Sequence, residues 1–123
     1  MKPIIRRSDP AGEYYTDERC DLLELSNSVE DPDASIARAR VAPGVTTRWH
    51  RLVGTTERYV MVEGRARVEL GDLAPQEIEP GDVVVIPPMC RQRITNIGKD
   101  ELVFLAICTP RFRAENYQDL ENR

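Results

Sequence analysis

His50 is the only histidine among the 123 residues of the chain, and residues that carry chemistry lie close to it in sequence. Glu57 follows seven positions later, and Gly64 follows after seven more. With Pro43-Gly44 at its front, the segment predicts two strands joined by a short turn, with His50 and Glu57 both directed inward. An imidazole and a carboxylate that face the same interior are groups that transfer protons or bind metal ions.

A second polar segment follows an apolar strand. Gly81-Asp82 opens a run of four apolar residues, and Pro87-Pro88 ends it. Gln92 and Asn96 come next and predict a second polar strand. The polar segments around His50 and Gln92 therefore lie on either side of an apolar strand in the chain.

The spacing of these residues resembles the first motif of the cupin family. That motif contains a glycine, a His-x-His pair, a glutamate and a second glycine. Gly44, His50, Glu57 and Gly64 fall on its spacing.

The second cupin motif also has a counterpart here. It contains a glycine, a Pro-x-Gly element, a histidine and an asparagine, and Gly81, Pro87 and Asn96 fall on its spacing. Both motifs lie in the family's order between residues 44 and 96, close enough for one barrel. The resemblance implies a small single-domain cupin, which is an all-β chain folded as one cupin-type β-barrel, or double-stranded β-helix (jelly roll).

Three positions depart from the cupin motifs. Leu52 replaces the second histidine of the first motif, Met89 replaces the glycine after the proline, and Gln92 replaces the histidine of the second motif. Of the family's metal ligands, the resemblance leaves His50 and Glu57, with Gln92 as a weaker donor. Such a mixed set suits Mn, Fe, Ni or Zn at modest affinity, with water in the open positions. A divalent transition metal is thus one expectation for the site.

Leu52 also supports a second interpretation, in which no metal stays bound and His50 hydrogen-bonds to Glu57. An apolar side chain at a ligand position excludes water from that side of the pocket. This desolvation raises the pKa of Glu57 if no cation lies beside it. The pair then serves as acid and base without a metal. The sequence leaves both interpretations open, and if the protein is an enzyme, either one gives the catalytic roles to His50 and Glu57.

Strand alternation predicts the side chains that share the pocket with these residues, because every second residue of a strand lies on the same face. The residues selected in this way are mostly apolar with a few polar points, which is the general form of a small-molecule site. They are Leu52, Tyr59, Met61, Cys90, Gln92 and Ile94.

Two residues beside His50 are expected to lie away from the pocket. Arg48 is placed at the rim, where a charged residue near a strand start is usually solvated. Trp49 alternates with His50 and therefore points outward, and large exposed apolar groups mark contact surfaces. Together with the family resemblance, Trp49 predicts a homodimer.

Composition limits the classes of function. The length predicts a single domain over residues 1–123. A net charge of −4, with arginines scattered among acids, lacks the one-sided basic field of nucleic-acid binding. No apolar run approaches the ~18 residues of a membrane span, and the first residues do not resemble a secretion signal. We expect a cytoplasmic protein with reduced cysteines and with no nucleic-acid or membrane partner.

The elements that position these residues are predicted to be short strands. Turn signals at regular spacing separate about seven or eight of them, as in a sandwich or small barrel. The segment from Leu102 to Cys108 is apolar on both faces, which is typical of a central strand. The predicted boundaries are a barrel core at about 34–109, an N-terminal arm at 1–19, and a C-terminal tail at 110–123 with a helical turn or two over 114–120.

Two functional hypotheses follow, and both include a small-molecule ligand. The spacing around His50 and Glu57 favours a metal-dependent enzyme of the oxygenase, isomerase, decarboxylase or cyclase type. Leu52 and Gln92 favour a non-catalytic ligand-binding or sensing protein, or an acid–base enzyme without metal. The fold does not decide between them, because one fold hosts many functions.

Overall fold

The structure is a computed structural model, and it describes residues 1–121. Its regular elements are short strands and two single 3-10 turns, Pro10–Gly12 and Ala114–Asn116. The strands are β1 (Tyr14–Tyr15), β2 (Asp21–Ser26), β3 (Ser35–Val41), β4 (His50–Leu52), β5 (Thr56–Glu63), β6 (Ala66–Leu70), β7 (Gln76–Ile78), β8 (Val83–Ile86), β9 (Gln92–Asn96), β10 (Leu102–Thr109) and β11 (Tyr117–Asp119).

The strands form two antiparallel sheets, in the orders β1-β2-β3-β10-β5-β8 and β11-β4-β9-β6-β7. The apolar core draws on both sheets, with Ala39 and Met61 from the first packed in one cluster with Val68 and Ile94 from the second. The all-β prediction is confirmed. The ladder does not close into a barrel over residues 1–121, because each sheet ends in edge strands.

The central position of β10 follows from its sequence, as predicted. It pairs with β3 on one side and with β5 on the other, so its backbone groups are satisfied at both edges. Leu102, Phe104 and Cys108 alternate inward and are buried, while the side chains between them are half-buried. Because β5 carries Glu57 and Tyr59, β10 fixes the strand that supplies part of the site.

The prediction of a helical tail is wrong. Only Ala114–Asn116 makes a 3-10 turn, after which β11 pairs with β4 in the register Tyr117 with Leu52 and Asp119 with His50. The backbone groups of so short a segment gain more from an existing strand than from one helical turn, because helix nucleation is unfavourable. This pairing brings Tyr117 beside His50.

Two other structural features bear on the sequence predictions. All three cysteines are free thiols, as their spacing predicts. None of the helices over residues 1–121 has the length and apolar character needed to cross a bilayer.

Candidate functional site

His50 opens β4 and is 4% exposed. Its Nδ1 lies 2.8 Å from the carbonyl oxygen of Arg48. Because a carbonyl only accepts hydrogen bonds, Nδ1 carries a proton, and Nε2 is the nitrogen that can take up or release one. The carboxylate of Glu18 lies 3.4 Å from Nε2.

Glu57 is held by a buried chain of hydrogen bonds. Its Oε1 accepts from Nε2 of Gln92 at 2.9 Å, and the hydroxyl of Tyr59 donates to the Gln92 amide oxygen. Its Oε2 lies 3.8 Å from Sγ of Cys108, within reach of the thiol proton. Every polar side-chain atom in this hydrogen-bonded network therefore has a partner, as is usual for buried polar groups.

Burial raises the pKa of Glu57 to about 6, while His50 nearby acts in the opposite direction and Glu18 adds to the rise. The rise in the pKa of Glu57 has the direction expected from Leu52, an apolar residue at a ligand position. Burial also raises the pKa of Tyr59 well above its usual value, so its phenol stays protonated and donates to Gln92. The site thus combines a carboxyl that titrates near neutrality with a permanently protonated phenol.

His50 and Glu57 line a cavity with two lobes, of about 60 and about 50 Å³. A single water needs roughly 10–15 Å³ on this scale, so the cavity admits several waters or the end of a small organic molecule. The other residues of the larger lobe are Glu18, Leu22, Glu24, Ser35, Ala37, Leu52, Ala106, Cys108, Phe112 and Tyr117. The smaller lobe adds Cys20, Ala39, Thr47, Tyr59, Ile94 and Phe104.

A wider polar space of about 530 Å³, here called the vestibule, adjoins the cavity and is lined by Asp17, Glu18, Arg48, Tyr117 and Asp119. Arg48 lies within it, and its Nε donates to Asp119 at 2.9 Å. Glu18 and Tyr117 line both the vestibule and the larger lobe. The vestibule therefore borders the cavity at these two residues.

The predicted pocket residues occupy different places. Leu52, Tyr59 and Ile94 line the cavity with His50 and Glu57. Gln92 is buried behind Glu57 and reaches the site through their hydrogen bond.

Met61 and Cys90 line neither lobe of the cavity as described over residues 1–121. Met61 lies on the face of Glu57 but further along β5, within the apolar core. Cys90 precedes β9 and lies in a turn closed by its own N–H to the Pro87 carbonyl at 3.2 Å. The strand alternation that placed Cys90 in the pocket does not extend to that turn.

Two residues of the site escaped sequence reasoning. Tyr117 stacks on His50 with ring centroids 5.1 Å apart and planes inclined by 20°. Burial and the nearby negative charge of Glu18 raise the pKa of the Tyr117 phenol. Glu18 arrives from the N-terminal loop, where no motif or periodicity marks it. For Tyr117, the only available signal was that the short tail alternates in a way that also suits a strand.

Trp49 immediately precedes β4 and is half-buried, whereas the neighbouring His50 is buried, as alternation predicts. The guanidinium carbons of Arg91 and Arg93 lie 4.8 and 4.3 Å from its ring centroid. These two guanidinium groups cover part of the indole ring and interact with it through cation–π contacts. The homodimer stays a prediction.

The donor set does not fit a metal ion. The amide oxygen of Gln92 already accepts from Tyr59, and its nitrogen donates to Glu57, so Gln92 would have to turn away from these buried partners to present its oxygen to a metal. Leu52 offers no donor. In the described part of the chain, no group of three or more His, Cys, Asp and Glu side chains has the geometry to hold a metal.

The topology and the motif positions define a cupin, and residues 37–108 match the sequence profile of the cupin domain family. The chain belongs to the cupin family.

Three comparisons place it more closely. It is 32% identical to the uncharacterized protein MJ1618 of Methanocaldococcus jannaschii, over 98% of each chain. It is 30% identical to the glucose-6-phosphate isomerase of Pyrococcus furiosus, over 86% of this chain and 69% of the isomerase. The nucleoside dehydratase Pac13 shares the fold, with a TM-score of 0.78 and 16% identity over 95% of this chain and 92% of Pac13.

Proposed function

We propose that this cupin is an acid–base enzyme that works without a metal and moves a proton between carbon and oxygen of a small hydroxylated carbonyl compound. One observation carries the proposal. The buried carboxyl of Glu57, with a pKa of about 6, lies in the same cavity as Nε2 of His50, the ring nitrogen that is not bonded to the Arg48 carbonyl. A carboxyl and an imidazole that face one cavity are groups that can act as acid and base in proton transfer.

The chemistry follows from the states of these two groups. Nε2 of His50 takes the proton from the carbon beside the carbonyl, and the C–H electron pair forms a carbon–carbon double bond. Glu57 in its protonated form gives its proton to the carbonyl oxygen, so charge does not build up there. To isomerise the compound, Nε2 returns its proton to the former carbonyl carbon, while the hydroxyl on the other carbon gives its proton to Glu57 and becomes the new carbonyl. To dehydrate it, the proton on Nε2 leaves with the hydroxyl group of the next carbon as water, while the enol hydroxyl returns its proton to Glu57 and the carbonyl forms again.

Gln92 and Tyr59 support this assignment because they keep Glu57 in place. The amide donates to Oε1 of Glu57, and the Tyr59 hydroxyl holds the amide in that orientation. Hydrogen bonds that hold catalytic groups in position preserve productive geometry between turnovers. Gln92, which makes both of these hydrogen bonds, stands at the position that the cupin motif gives to a metal ligand.

The relatives are consistent with the proposed reaction class. An isomerase of glucose 6-phosphate interconverts an aldehyde and a ketone, a reaction that relocates a proton. The isomerase is 30% identical to this chain. The dehydratase supports the fold alone.

The charge of the site favours an uncharged substrate. Among the residues described, neither cavity lobe is lined by lysine or arginine, whereas Glu18 and Glu57 line both. Arg48 of the vestibule is already paired with Asp119. A phosphate would meet carboxylates without a free guanidinium, which disfavours its binding. We therefore propose a small neutral hydroxyaldehyde or hydroxyketone rather than a sugar phosphate.

A metal-dependent enzyme is the second candidate, because His50 and Glu57 keep the motif positions of two cupin ligands. It differs from the first candidate in one measurable respect. Its activity depends on a transition metal that is present in nearly stoichiometric amount.

The test follows deuterium in the substrate. Protein treated with chelator and shown to be metal-free by plasma mass spectrometry is incubated in D2O with glyceraldehyde, dihydroxyacetone, glucose and glucose 6-phosphate. Proton NMR then reports exchange at the carbon beside the carbonyl. We expect exchange with an uncharged compound, its loss in His50→Gln and Glu57→Gln, and its retention in Glu77→Gln on the outer face.

Other results would redirect the assignment. Exchange that appears only after Mn, Fe, Ni or Zn is added would establish the metal-dependent candidate. Faster exchange with glucose 6-phosphate than with glucose would contradict the uncharged substrate. Absence of exchange throughout the panel would favour a ligand-binding protein.

A further inference from the structure

Glu18 lies where the cavity meets the vestibule. Over residues 1–121 it is the only side chain that lines both cavity lobes and the vestibule. Its side chain is 26% exposed, whereas that of His50 is 6% exposed. Glu18 therefore touches solvent on one side and the buried imidazole on the other.

The distance between the two groups suits proton transfer. Oε1 of Glu18 lies 3.4 Å from Nε2 of His50, the ring nitrogen that is not bonded to the Arg48 carbonyl. Such a separation is slightly long for a hydrogen bond and lies within the range that tightens when an active site is occupied. Tyr117, which stacks on His50, lines the larger lobe and the vestibule together with Glu18.

The loop that carries Glu18 is built to direct it inward. The hydroxyl of Thr16 accepts from the N–H of Glu18 at 3.1 Å, and the Thr16 carbonyl accepts from the N–H of Arg19 at 3.1 Å. Arg19 has a φ of 71°, a left-handed conformation that is uncommon for a residue other than glycine. Its guanidinium donates to Glu121 at 2.8 Å and to the carbonyl of Thr46 at 3.2 Å. These contacts tie the loop to the segment that precedes β4 and to the residue two positions after β11.

We propose that Glu18 relays protons between His50 and solvent. The proton on Nε2 of His50 passes to Oε1 of Glu18, and the resulting carboxylic acid passes it to water in the vestibule. The imidazole lone pair is restored, and no electrons change hands. Without the relay, a base as buried as His50 exchanges protons with solvent slowly. Each catalytic cycle must then wait until Nε2 has lost its proton. This inference rests on the proposed function for its catalytic meaning, whereas the relay itself is measurable without substrate.

Because His50 is the only histidine, its proton exchange can be observed without ambiguity. The chain is labelled with ¹⁵N-histidine, and NMR measures exchange of the Nε2 proton with water at a pH where the imidazolium is populated. Loss of a positioned acid–base group predicts that Glu18→Gln exchanges at least about tenfold more slowly than the parent chain. The exposed Glu77→Gln variant, whose carboxylate lies on the outer face, is expected to exchange at the parent rate.

A second variant separates a relay from a structural role. Glu18→Ala opens a path from the vestibule to His50, and added formate is expected to restore its exchange while leaving the parent chain unchanged. Glu18→Gln that exchanges at the parent rate would overturn the relay. Failure of formate to restore exchange in a natively folded Glu18→Ala would overturn it as well.

The two proposals fail separately. Intact exchange at His50 without deuterium incorporation into any substrate would remove the proposed function and leave the relay. Deuterium incorporation together with unchanged exchange in Glu18→Gln would remove the relay alone.

Discussion

Nε2 of Gln92 lies 2.9 Å from Oε1 of Glu57, and this contact ties β9 to β5 inside the core. An ionised carboxylate only accepts hydrogen bonds, so the amide nitrogen faces Glu57 and the amide oxygen faces the hydroxyl of Tyr59. The chain has thus replaced a ligand position with an amide whose two ends are both used. A histidine at this position would present a nitrogen lone pair instead.

The first prediction concerns the phenol of Tyr59, which donates to the amide oxygen of Gln92. Tyr59→Phe removes the donor to Gln92 and leaves a buried amide oxygen unsatisfied, which typically destabilises a protein by about 1–3 kcal/mol. Urea unfolding measures the loss. Tyr15→Phe is the matched control, because Tyr15 is 68% exposed and has no such buried partner to abandon. A Tyr59→Phe variant as stable as the control would show that the buried hydrogen bond is not formed.

The second prediction concerns the missing ligands. Leu52 lines the cavity with His50 and Glu57, and Gln92 pairs with His50 across β4 and β9. Leu52→His combined with Gln92→His therefore gathers three imidazoles and one carboxylate, a set that binds transition metals. We expect the double variant to bind Co²⁺ with the visible absorption of a nitrogen-ligated site.

The control for that experiment is Leu52→Gln in the parent background, which adds polarity without an imidazole and is expected to show no such absorption. Stoichiometric Co²⁺ binding by the parent chain would mean that Gln92 can release its partners and act as a ligand. The conclusion on the donor set would then be wrong.

The third prediction concerns stability and pH. Folding raises the pKa of Glu57 from 4.5 to about 6 through burial, so the folded state binds this proton more tightly than the unfolded state. Its contribution is therefore full below pH 4.5 and declines as the pH rises to about 6, by about 2 kcal/mol at the end of that range.

Glu57→Gln removes this dependence because the amide does not titrate. Its stability relative to the parent chain is expected to increase between pH 4.5 and pH 7, as measured by urea unfolding at several pH values. Glu77→Gln supplies the control, since its exposed side chain is not desolvated. A constant difference between Glu57→Gln and the parent across this range would show that Glu57 is not desolvated in the folded protein.

The sequence predicted the parts of the fold that are encoded locally. The motif glycines and the doubly apolar run from Leu102 to Cys108 mark turns and a central strand, because each depends on a few neighbouring residues. Glu18 escaped because its place depends on the left-handed Arg19 and on partners about a hundred residues away, such as Glu121. The tail escaped for a similar reason, since its strand exists only through pairing with β4.

The same local encoding gives the fourth prediction, at Gly64 between β5 and β6. Gly64 has a φ of +86°, and a Cβ added there would lie 2.9 Å from the carbonyl oxygen of Glu101 and 3.1 Å from Cα of Leu102. Both are backbone atoms of the segment that enters β10, so they cannot move without disturbing the central strand. Gly64→Ala is therefore expected to lose about 3 kcal/mol of unfolding free energy.

Gly54→Ala separates the two contributions to that loss. Gly54 also has a positive φ, of +62°, but a Cβ there would meet nothing within 4 Å. It should lose only the conformational term, about 1–2 kcal/mol. Urea unfolding of both variants compares them directly. Equal losses would mean that the backbone at Glu101 yields freely, and that the glycine of the cupin motif is needed for its φ alone. A larger loss at Gly64 would show that close approach to β10 fixes the turn that follows the strand of Glu57 and Tyr59.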